Sequence, residues 1–71
     1  MQLLKRNTPL RSVTEVGRGD YVKIGGSWHL ILENTAEGMD RPRTWSVTIE
    51  DGSSHGMSTI DRFAKADDFE G

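Results

Sequence analysis

The chain contains no cysteine. Disulfides are therefore excluded, as are thiolate metal sites, and the absence favours a reducing, cytoplasmic setting. Long apolar runs are missing too. The N-terminal MQLLKRNTPLR has a few leucines but no apolar run, so neither a signal peptide nor a membrane span is expected there. Aromatic residues make up only 7% of the chain, so each one matters to a core that no cross-link supports. A charge excess of one sign is also lacking. The net charge is −2, without the clustered basic excess that a generic nucleic-acid footprint needs.

What is present fits one small domain. Seventy-one residues, 34% of them hydrophobic, suffice for a few strands around one compact core and leave no room for a second. Charge is unevenly placed. Lys5, Arg6, Arg11 and Arg18 face a single acid, Glu15, in residues 1–18, whereas residues 67–70 read DDFE. Residues 1–10 read as an N-terminal arm, 11–66 as the folded domain and 67–71 as an acidic tail expected to fray.

Alternation of apolar and polar residues carries the fold. SVTEV (12–16) reads as a first strand. Val22 and Ile24 share a face of DYVKI, and Trp28, Leu30 and Leu32 share a face of WHLILEN. A three-residue loop ending at Gly26 brings those faces together and sets Val22 opposite Trp28. A second hairpin follows in TWSVTIEDGSSHGMST, where a loop of Glu50, Asp51 and Gly52 pairs Trp45 with Met57. Both loops predict positive φ, at Gly26 and at Gly52. Between the hairpins NTAEGMDRPR reads as a long exposed loop, and the spacing of Ser58, Asp61, Ile60 and Phe63 predicts a helical turn. The expected core is Trp28, Leu30, Trp45, Val47, Ile49 and Phe63.

Short strands, bulged hairpins and a closing helical turn imply a mainly β chain, specifically a small five-stranded antiparallel barrel. GDYVKIGGSWHLILEN followed by a DG hairpin resembles the SH3-like barrels, including their KOW and Tudor branches, over roughly residues 17 to 63. The short chain ending in IDRFAKADDFEG also resembles small proteins encoded by actinobacteriophages, which implies a host-cytoplasmic setting. Proline-peptide binding and methyl-lysine capture are not implied, since neither the acidic loop and aromatic pair nor a full aromatic cage can be assembled.

For function, EDGSSHGMS sets acid, serine and histidine close together, yet it falls on a hairpin tip where these residues serve turn chemistry. His29 and His55 lack metal-ligand spacing. No catalytic residue, metal or cofactor is expected. On the face away from the core, Tyr21, His29 and Ile31 are expected to cluster as a binding platform, and Arg41 and Arg43 flank Pro42 on a rigid basic tip. These five residues are the candidate binding site. The chain reads as a non-enzymatic interaction module that binds a host or virion protein through its outer sheet face or a strand edge. The alternative is a KOW-like nucleic-acid binder using Lys5, Arg6, Arg11, Arg41 and Arg43.

Overall fold

The computed structural model of the chain describes residues 3–70. It is mainly β and antiparallel. The strands are β1 (Leu3–Leu4), β2 (Tyr21–Ile24), β3 (Ser27–Asn34), β4 (Val47–Ile49), β5 (Ser54–His55), β6 (Arg62–Ala64) and β7 (Phe69–Glu70). Five of them form one sheet in the order β5-β4-β3-β2-β6, and β1 pairs with β7 in a separate ribbon. The larger sheet curls strongly. Trp45, just ahead of β4, and Phe63 on β6 lie about three strand spacings apart, roughly 14 Å if the sheet were flat, yet their ring centroids are 5.6 Å apart. No helix among the described residues is long and apolar enough to cross a membrane.

The β2–β3 hairpin departs from the register expected of it. Val22 pairs with His29 and Lys23 with Trp28, across a two-residue turn of Gly25 and Gly26. Both glycines have positive φ, +57° and +84°. A type I′ turn requires this at both central positions, and its twist matches that of the flanking strands, so two adjacent glycines select the shorter loop. Gly26 is left-handed as expected, but Gly25 is equally so. The shift turns over the face of the hairpin: Val22 and Ile31 become fully buried, while Trp28 and Leu30 move to the other side. A bulge at Leu32, between the pairs Ile31–Ile49 and Glu33–Thr48, then lets Ile31 and Asn34 both point inward.

The second hairpin keeps its expected register. Val47 pairs with His55 and Thr48 with Ser54, while the Gly52 N–H closes the turn on the Ile49 carbonyl at 2.9 Å and Gly52 has φ +88°. The ladder ends before Trp45 and Met57. The core is Val16, Val22, Ile31, Val47 and Ile49, with Ile24, Trp45, Ile60 and Phe63 packed against it. Of the six residues expected there, Trp28 and Leu30 are on the wrong side.

Three further segments differ from expectation. Residues 13–15 form a 3-10 turn rather than a strand, because Glu15 folds back to accept from the Ser12 N–H at 3.1 Å. Residues 62–64 form β6 rather than a helical turn. The edge of β2 would otherwise leave its backbone groups unpaired, and β6 satisfies them, beginning with the Asp61 N–H on the Lys23 carbonyl at 2.8 Å. The acidic end does not fray through residue 70. Ala66–Asp68 form a 3-10 turn, Phe69 is buried, and β7 takes up β1. No helical turn forms at residues 58–64 where it was expected; the 3-10 turn at Ala66–Asp68 falls in the segment expected to fray. Residue 71 and the first residues of the arm lie outside the described residues.

Buried and half-buried polar side chains hold the loops to this sheet. Asn34 donates to the carbonyls of Val13 and Val16, both at 2.7 Å, and accepts from the Ala36 N–H at 3.0 Å. Asp20 accepts from the backbone of Gly17 at 2.9 Å and of Ala66 at 3.0 Å. Arg11 grips Asp68 through Nε and Nη2 at 3.0 and 2.8 Å. With a further bond from the Lys65 N–H, that grip holds the Asp68 carboxyl down at about 2.

Candidate functional site

The platform expected of Tyr21, His29 and Ile31 is not assembled. Pairing places Tyr21 on the outer face and His29 on the inner, Val22 side, and Ile31 is fully buried in the core. His29 stands half-buried at the rim, its Nδ1 2.7 Å from Glu50 Oε1. The contact with His29 draws the Glu50 carboxyl below its usual range. Tyr21 packs edge-on against Phe69 at 5.0 Å, and Trp28 does so at 5.1 Å. The residue read as a frayed tail is thus the cover of the aromatic face.

Beside that cover the outer face stays half-open. Lys23 pairs with Trp28 on one side and with Arg62 on the other, so Arg62, Lys23 and Trp28 form a row across β6, β2 and β3. Lys23 Nζ lies 5.8 Å from the centroid of the Trp28 ring. Arg62 Nε is buried without a hydrogen-bond partner among the described residues. Register reasoning from the wrong loop could not find this row, and the helical reading of residues 58–64 hid Arg62 altogether.

Arg41 and Arg43 are exposed, as the sequence suggests, and neither makes an ion pair among the described residues. Pro42 and Trp45 are half-buried beside them, and Met39 is 48% exposed. Arg41 has φ +55°, a left-handed backbone in a bulky residue directly before proline. Of the other basic residues offered for nucleic acid, Arg11 is committed to Asp68, while Lys5 and Arg6 are exposed. Strand-edge docking has little backbone to use, because the sheet's edge strands β5 and β6 have two and three residues.

The acid–serine–histidine cluster is in contact but in an order unlike a hydrolase relay. Ser53 Oγ lies 2.6 Å from Asp51 Oδ1 and 2.8 Å from His55 Nε2, so the serine is in the middle. In a relay the histidine stands between serine and acid and takes the serine proton. Here the Ser53 proton goes to Asp51, whose carboxyl is held below its usual range by that hydroxyl and by the Ser53 backbone. The group braces the hairpin tip. No three potential metal ligands gather among the described residues.

Comparison with protein-family models, curated proteins and solved structures returned no match.

Proposed function

We propose that this chain is a non-enzymatic interaction module, a small SH3-like barrel, that docks an acidic protein segment on the loop carrying Arg41 and Arg43. The curl that brings Trp45 onto Phe63 supports the barrel reading. The observation that carries the functional reading is the backbone of Arg41. A left-handed conformation costs a side-chain-bearing residue about 1–2 kcal/mol, and glycine at that position would avoid most of it. The chain keeps a guanidinium there instead, exposed and without an ion pair among the described residues. Unrelieved strain of this kind concentrates at binding sites.

The neighbours fit a protein partner. Arg, Met and Trp are enriched at the cores of protein interfaces, and Met39, Pro42 and Trp45 give this loop apolar contact area beside its charges. The net charge of −2 gives no general attraction for a polyanion, so an acidic partner is held by local contacts at Arg41 and Arg43 rather than by a basic field. A phage or prophage origin, with a host or virion protein as the target, belongs to the same proposal and rests on the resemblance carried by the stretch IDRFAKADDFEG.

Selection of random peptides displayed against the immobilised protein tests this. Enriched peptides should carry clustered Asp and Glu beside an apolar residue, and an Arg41→Gly/Arg43→Ser protein should not retain them. Failure to enrich, or equal retention by the double variant, counts against the proposal. Micromolar binding of single-stranded oligonucleotide, with a log–log salt slope that falls by about one for each arginine removed, favours the nucleic-acid alternative.

A further inference from the structure

We propose that the outer face of the sheet carries an oxyanion site, formed by Lys23 and Arg62 beside Trp28, that receives a carboxylate from an acidic peptide. The register fixes the geometry. Lys23 lies directly opposite Arg62 across the β2–β6 pair and directly opposite Trp28 across the β2–β3 pair, so the three side chains leave the sheet on one side.

The arrangement is unfavourable as it stands, for two separate reasons. Like charges directly opposite each other on paired strands destabilise the pair. Among the described residues no carboxylate lies within 4.0 Å of either cation to offset this. Asp61, the acid next to Arg62 in the chain, is tied to the Lys23 carbonyl through its backbone N–H and makes no ion pair of its own. Second, Arg62 Nε is buried without an acceptor, and an unmatched buried donor attached to a charge is a specific cost that folded chains usually avoid.

A single oxyanion answers both. Placed between the two cations it accepts from Lys23 Nζ and from the Arg62 guanidinium and cancels their repulsion. The molecule already holds a carboxylate in this manner, where Arg11 takes Asp68 side-on through Nε and Nη2 at 3.0 and 2.8 Å. At Arg62 the same side-on grip requires the guanidinium to turn so that the buried Nε meets the ligand. The Trp28 indole walls one side of the site and lowers the local polarity, which strengthens the charge contact.

A carboxylate suits the site better than a nucleic-acid phosphate. Base stacking would need a free ring face, and the Trp28 ring is already engaged by Lys23 and by Phe69 at an interplanar angle of 87°. The site is separate from the arginine loop and stands whether or not that loop binds.

Titration with sodium acetate at constant ionic strength, followed by the indole N–H resonances, tests the proposal. The Trp28 resonance should shift saturably and the Trp45 resonance should not. Arg62→Met, which keeps the aliphatic stem, should abolish the shift without lowering the melting temperature in chloride. Lys23→Gln should weaken binding by about tenfold. An Arg41→Gly/Arg43→Ser protein should titrate like the parent. Equal shifts of both indoles, saturation unchanged in Arg62→Met and Lys23→Gln, or loss of the response in the loop variant overturns the site. A diglutamyl peptide should bind more tightly than a thymidine dinucleotide, and the reverse order overturns the carboxylate assignment.

Discussion

Replacing Phe69 with alanine probes the contact that ties the chain's end to its sheet. Phe69 is 9% exposed and packs against Tyr21 and Trp28 with ring centroids at 5.0 and 5.1 Å. Burying a phenylalanine side chain stabilises by about 2–3 kcal/mol, and each edge-on aromatic contact adds about 0.5–1 kcal/mol. The sum is about 3–5 kcal/mol, with the lower end favoured because a terminal ribbon can relax around the loss. For a domain of this size that is a third or more of the total stability. The melting temperature should fall by more than about 10 °C, and Phe69→Leu should lose about half as much. Urea melts followed by tryptophan fluorescence would measure this, since Trp28 reports directly on the site. A Phe69→Ala midpoint within error of the parent would mean that the tail is not packed on the aromatic face.

Two further perturbations bear on the fold. Asn34→Ala strands the carbonyls of Val13 and Val16 and should cost about 2–4 kcal/mol in a denaturant melt, with faster hydrogen exchange at Gly38, whose N–H bonds the Thr14 carbonyl in the same pinned pair of loops. Asp68 has a folded pKa of about 2, below its unfolded value, so the stability it contributes is present above about pH 4 and lost as the pH falls through about 2. Asp68→Asn should therefore flatten the acid limb of a stability–pH curve between those values, which melts at stepped pH would show.

Local signals that agree with the tertiary structure were readable, and those that it overrides were not. The EDG loop admits one left-handed glycine, so the register of β4 and β5 follows from sequence alone. Gly25-Gly26 admits two and so favours the two-residue turn, but bringing Val22 and Ile24 onto the face of Trp28, Leu30 and Leu32 demands a three-residue one; following that face inverted the core side of the first hairpin. The bulge at Leu32 compounds it, because one extra residue breaks the alternation from which burial is read. Residues 58–64 have helical spacing, but the open edge of β2 recruits them as a strand. Ser12–Glu15 carries a capping-box pattern that the strand reading of residues 12–16 did not take into account. The Arg11–Asp68 grip joins residues 57 positions apart, and no local pattern announces it. For the candidate site, exposure of Arg41 and Arg43 was legible from the polar, proline-bearing loop. The Arg62–Lys23–Trp28 row depends on two registers and was not.

In the proposed function the arginine loop accepts strain in order to bind. The most direct test is Arg41→Gly, with stability and capture of a selected acidic peptide measured on the same preparation. Relief of the left-handed backbone, set against the greater freedom of glycine in the unfolded chain, predicts a protein of unchanged stability or more stable by up to about 1 kcal/mol. Peptide affinity should fall by about tenfold or more as a charge-assisted contact is lost. A variant that binds the peptide as tightly as the parent would contradict the claim, whatever its stability.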